Sequence, residues 1–138
     1  MIIDEAKCAC LEQNISVALA LENDSRYGNA SNALWCYRMH FRPSVQLSIL
    51  WGGIESLFLI EKSIKKNLSL SASRFIYGDD SMAEEIKTLY ESRCKAVHEL
   101  KNSKDNILQK SVKLLHQLIV KCVQDNSLPN VSELLKDK

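Results

Sequence analysis

The sequence predicts an all-α fold, and three observations carry that prediction. Two prolines and four glycines in 138 residues leave room for long helices almost everywhere. Apolar residues recur at spacings of three and four in several long stretches. No stretch shows sustained period-two alternation bounded by turn residues, so strands have no support.

Asp4 is placed to cap a first helix that runs to about Glu22, after which Asn23-Asp24-Ser25 and Tyr27-Gly28-Asn29 read as loop. A second helical piece is predicted over Ser31 to Phe41, and Pro43 restricts Arg42 and marks a break. The third helix is predicted from Ser44 to about Lys66. Leu47, Leu50, Trp51, Ile54 and Phe58 line one side of it, and Val45, Ile49, Gly52 and Leu59 the opposite one. A helix apolar on two sides is expected to be covered on two sides. In so small a domain one side serves the chain's own core and the other suits a partner subunit. Gly52 and Gly53 each lower helix propensity by roughly 1 kcal/mol relative to Ala. Close approach of another helix, or a kink, would explain their presence.

Ser69 to Tyr77 reads as a short helix ended by Gly78-Asp79-Asp80. Ser81 with Glu84 three residues later matches a capping box for the next helix. In that helix Met82, Ile86, Leu89, Tyr90, Val97 and Leu100 form one apolar stripe, with Arg93 in its middle and His98 at its edge. Asn102-Ser103 breaks the chain. A helix over about Lys104 to Asp125 places Leu108, Val112, Leu115, Ile119 and Cys122 on one face, Pro129 ends it, and Val131 to Leu135 form a last turn or short helix.

The whole is expected to be one domain of five to six helices over residues 1–138, with 46% hydrophobic and 25% charged residues. Eighteen Lys and Arg stand against 17 acids, so no overall basic field exists and any nucleic-acid contact must come from a local patch. The apolar run from Leu47 to Ile60 is interrupted by Gly52, Gly53 and Glu55, which argues against a membrane span. The N-terminal MIIDEAKCAC has no basic region before its apolar residues, so no signal peptide is read. Five cysteines without framework spacing suggest reduced thiols and a cytoplasmic setting.

Chemistry is sought at Arg93 and His98, the two residues that packing needs least. Metal-free RNA cleavage by the neighbouring 2′-hydroxyl requires a proton-transfer group near neutral pH and a cation on the developing phosphorane. Histidine suits the first and arginine the second. One His does not readily serve both sides of one phosphate, whereas two copies across a symmetric interface can. By itself R-x4-H is a short pattern that chance supplies in many helical proteins, where the Arg snorkels or pairs with a structural carboxylate.

A wider likeness adds to the pattern. LYESRCKAVHE, Leu89 to Glu99, resembles the signature of HEPN domains, the Apea-like branch above all. LWGGIESLF, Leu50 to Phe58, is similar to the upstream helix of that branch. The resemblance covers about residues 33–123, and the first 30 residues form an extra helix outside it. It implies a dimerising helical bundle whose catalytic members are metal-independent endoribonucleases, found as toxins and in antiviral defence. It places Arg93 and His98 at the catalytic positions, with Glu55 and Tyr90 in support. RNA is then the substrate, with an antitoxin or larger defence protein as a further partner and no cofactor. Three positions depart from the branch: Cys94 replaces the usual Ser, Glu99 replaces Gly, and Leu100 stands where some toxins carry a modifiable Tyr. The alternative, from another class, is a non-catalytic HEPN module binding protein, nucleotide or RNA, with Arg93 paired to Glu55.

Lys62, Lys65, Lys66 and Arg74, with Lys95 beside the motif, form a possible phosphate-gripping cluster. Cys8 and Cys10 with His40 or His116 fit no common zinc spacing, so no metal site is expected. Trp35, Tyr37 and Phe41 are expected in the core rather than on a base-stacking platform.

Overall fold

A computed structural model describes residues 5–98 and 104–136 of the chain, with side chains described for 12–93 and 106–136. Among these residues the fold is all-α and compact: α1 (Glu5–Leu21), α2 (Ser25–Cys36), a 3-10 turn (Tyr37–Met39), α3 (Pro43–Phe58), α4 (Ile64–Tyr77), α5 (Ala83–His98), α6 (Lys104–Asp125) and the single-turn α7 (Val131–Leu134). Seven helices stand where five to six are expected. Asp4, the expected cap of α1, lies outside the described residues.

Helix α3 is the centre. It packs on α2, α5 and α6, and α6 in turn touches α1, α2, α4 and α5. Leu47, Leu50, Trp51, Ile54 and Phe58 are all buried, as the first apolar side of α3 requires, and Leu115, Leu118 and Cys122 of α6 meet them in the core. The buried Trp51 donates its indole N–H to Ser111 Oγ at 3.0 Å, and Ser111 donates onward to the Ile107 carbonyl at 2.8 Å, so the polar atoms of this core contact are satisfied. The other side of α3 is covered only in part among the described residues, with Ile49 packed against the core. Leu59 is 64% exposed, and a Cβ on Gly52 would meet nothing within 4 Å. Gly53 differs, because a Cβ there would stand 2.7 Å from Ala33 Cβ and 3.3 Å from Ala30 Cα. The close approach expected of the glycine pair therefore holds within the chain for Gly53 alone, where α2 presses on α3.

Three element boundaries depart from expectation. Helix α2 begins at Ser25, six residues before the expected Ser31, because Asp24 in extended conformation accepts the Arg26 N–H at 2.8 Å and caps it. The predicted long third helix divides. Leu59 turns left-handed at φ 48° as the cap of α3, and Ser63 does so at φ 46° before α4. Neither residue is a glycine, so the break leaves little mark in the sequence. Helix α5 starts at Ala83, and the expected capping box is replaced by a different arrangement. Asp79 Oδ1 accepts from both the backbone N–H and the hydroxyl of Ser81, while Ser73 Oγ accepts the Met82 N–H.

Arg26 ties these parts together from beneath α3. Its Nε donates to the Leu57 carbonyl at 3.0 Å and Nη2 donates to the carbonyls of Leu57 and Pro129, the latter at 2.8 Å. One guanidinium thus satisfies the C-terminal end of α3 and fastens the segment that leads into α7.

Candidate functional site

Arg93, the eleventh residue of α5, projects toward α3, where Glu55 stands beside the buried stripe. Nη2 of Arg93 lies 3.3 Å from Glu55 Oε1, with the two side chains 23% and 38% exposed. The guanidinium carbon sits 4.4 Å above the centre of the Tyr90 ring, one helical turn earlier, and 6.0 Å from the Trp51 ring. Tyr90 is itself fixed edge-on against Trp51, with centroids 5.4 Å apart and planes at 88°. A buried tryptophan therefore supports a tyrosine, the tyrosine supports an arginine, and a glutamate orients it. One polar atom stays unused: Arg93 Nε is buried with no hydrogen-bond partner among the described residues. Such a donor is costly to leave empty, so the cluster retains capacity for one more acceptor.

His98 closes α5, about 7.5 Å further along the helix axis by the ordinary rise. Its side chain, with those of Cys94 and Lys95, lies outside the described residues, as do Glu99 and Leu100. Arg93, Glu55 and Tyr90 are thus brought together as expected, and His98 and Lys95 are placed by the α5 backbone alone.

The basic cluster at α4 is largely engaged already. Lys65 pairs with Glu91 at 2.9 Å, tying α4 to α5. Arg74 pairs with Asp80 at 2.6 Å and donates to the Leu134 carbonyl, also at 2.6 Å, which fastens α7. Lys62 and Lys66 are exposed. A groove of about 570 Å³ runs between α5 and α6 past Glu85, Ser92, Lys110 and Gln117, and Arg93 does not line it. Among the described residues no cluster of three His, Cys, Asp or Glu stands ready for a metal ion, and no helix is long and apolar enough to cross a membrane.

One expectation is overturned at the end of α2. Trp35 is 78% exposed and Phe41 fully exposed; only Tyr37 packs against the core. The physical reason is the backbone. The 3-10 turn and the extended residues His40 and Arg42 lead Phe41 away from α2 before Pro43 opens α3, and Trp35, on α2, is left uncovered among the described residues.

Comparison of the chain with protein-family models, with curated proteins and with solved structures returns no match.

Proposed function

We propose that the chain is a metal-independent endoribonuclease of HEPN type acting as a homodimer. The observation that carries the reading is the state of Arg93. Its guanidinium is held by Glu55 and the Tyr90 ring, yet among the described residues its Nε has no acceptor. That is how a cation is prepared for an anion not yet bound: oriented in advance, partly shielded from water, and one hydrogen bond short.

In this reading the RNA 2′-oxygen attacks the adjacent phosphorus while His98 of one subunit takes its proton. Negative charge grows on the phosphorane oxygens, and Arg93 Nε and its free guanidinium edge donate to them. The bond from phosphorus to the 5′-oxygen then breaks, and the partner's His98 supplies the proton that this oxygen needs. The products are a 2′,3′-cyclic phosphate and a 5′-hydroxyl. The uncovered side of α3, with Val45, Gly52 and Leu59, supports pairing of two copies. An antitoxin or a larger defence protein fits as the restraining partner.

A second reading is favoured by the Arg93–Glu55 ion pair itself. A non-catalytic binding module would use that pair to hold α5 on α3. Cleavage of a labelled structured RNA in EDTA, beside His98→Ala, separates the two. The nuclease reading requires cyclic-phosphate ends from the parent protein and none from the variant. Intact RNA after incubation with folded dimer, under conditions with and without added cell extract, would leave the binding module standing.

A further inference from the structure

The turn between α2 and α3 places rings and cations on one exposed segment. Trp35 is 78%, Met39 76% and Phe41 100% exposed, and Arg38, His40 and Arg42 between and after them are exposed as well. Arg38 lies with its guanidinium carbon 5.7 Å from the centre of the Tyr37 ring. From Tyr37 to Arg42 aromatic or apolar residues alternate with Arg38, His40 and Arg42.

The charge around them is one-sided. From Ser25 to Ile54 the chain contains Arg26, Arg38 and Arg42 and no Asp or Glu. The turn packs on α2 and α3. The acid nearest in sequence on α2's side is Asp24, its N-cap at the far end, occupied with the Arg26 N–H. On α3 it is Glu55, some three turns along and engaged with Arg93. Neither Arg38 nor Arg42 forms an ion pair among the described residues.

We propose that this segment is a binding surface for single-stranded nucleic acid, with Trp35 and Phe41 stacking on bases and Arg38 and Arg42 meeting phosphates. Stacking rings among cations is the chemistry that grips an unpaired strand without reading its sequence, since every base offers a flat face and every nucleotide a charge. Bases paired in a duplex would not be free to reach the rings. Charge decides against the other occupants. A two-fold interface would set this patch against itself, bringing Arg38 and Arg42 of both copies together with no carboxylate in the segment. A membrane anchor needs a broader apolar face than three side chains give. The surface needs no cleavage to act, so it stands independently of the ribonuclease reading.

The test uses the full chain and a fluorescent 2′-O-methyl oligouridylate, which cannot be cut through its 2′-oxygen, read by anisotropy in EDTA. Phe41→Ala and Trp35→Ala are expected to weaken binding about tenfold each, the scale of a lost base-ring stack. Arg38→Gln with Arg42→Gln is expected to flatten the salt dependence. Both aromatic side chains are exposed, so melting temperatures should match the parent. Failure here and failure of the catalytic reading are read separately, the first as binding of a strand that cannot be cut and the second as cleavage of a structured RNA. Equal binding by parent and Phe41→Ala overturns the proposal. So does preference for phosphatidylserine vesicles over the strand, or a dimer that Phe41→Ala turns into a monomer.

Discussion

Arg26 and Arg93 both reach α3, and they are finished differently. Arg26 donates to the carbonyls of Leu57 and Pro129, so its charge is used up in holding the end of one helix and the approach to another. Among the described residues Arg93 pairs with Glu55 at 3.3 Å, lies over Tyr90, and has no acceptor for Nε. The first is a fastening, complete within the fold. The second is oriented but incomplete, and incompleteness at a half-buried cation is the mark expected where a ligand supplies the last acceptor.

The largest effect is expected beneath Arg93, at Trp51. Trp51→Ala removes both a fully buried ring and the support of Tyr90, and should destabilise the protein by about 3–5 kcal/mol, read by chemical denaturation. Trp51→Phe should keep most of the packing while leaving Ser111 without its indole donor, so its loss should be smaller. If Trp51→Ala unfolds no more easily than the parent, the platform under Arg93 is not what holds it.

Arg26→Ala should cost about 2–3 kcal/mol, because charge-assisted bonds to backbone carbonyls are lost together and those acceptors are left behind. Arg93→Ala should cost about 1 kcal/mol or less, since its partner Glu55 is 38% exposed and water screens the pair. Equal losses would erase the distinction between the two arginines.

The adjacent glycines sharpen the same contrast between the two sides of α3. Gly53→Ala forces a contact of 2.7 Å onto Ala33 and should destabilise by about 1–2 kcal/mol. Gly52→Ala meets nothing and should stabilise the isolated subunit by about 0.5–1 kcal/mol through helix propensity. A loss of dimer from Gly52→Ala, seen by light scattering, would locate the partner copy against that side.

At neutral pH the smallest effect belongs to Cys122. Burial is the main cause that pushes its thiol up from 9.0 to about 12. The folded chain therefore holds this proton where the unfolded chain has lost it. The associated stability is intact below pH 9 and should drain away as pH rises from about 9 toward 12, an effect absent in Cys122→Ser. The thiol should also stay inert to a disulfide reagent at pH 7 until the protein unfolds.

Much of this was legible in the sequence where periodicity was strong. The bounds of α6 and the buried side of α3 follow from apolar spacing, and the pairing of Arg93 with Glu55 was an expectation from the family resemblance. The breaks were harder. Leu59 and Ser63 turn left-handed without glycine, Gly28 lies inside α2 without ending it, and Asp24 looked like loop while acting as a cap. Arg26 was missed because a carbonyl acceptor leaves no residue-type signal. Trp35 and Phe41 were misplaced because aromatic composition argues for burial, and only the outward path of the turn shows otherwise.

The central claim is that Arg93 acts on RNA more than on the fold. It is tested most directly by single-turnover cleavage with Arg93→Ala, measured beside its melting temperature and its dimer mass. The account predicts cleavage lowered by about a hundredfold or more, the scale of losing one preorganised donor, with mass unchanged and melting nearly so. Cleavage at the parent rate would contradict it, and so would a loss of activity that merely follows unfolding.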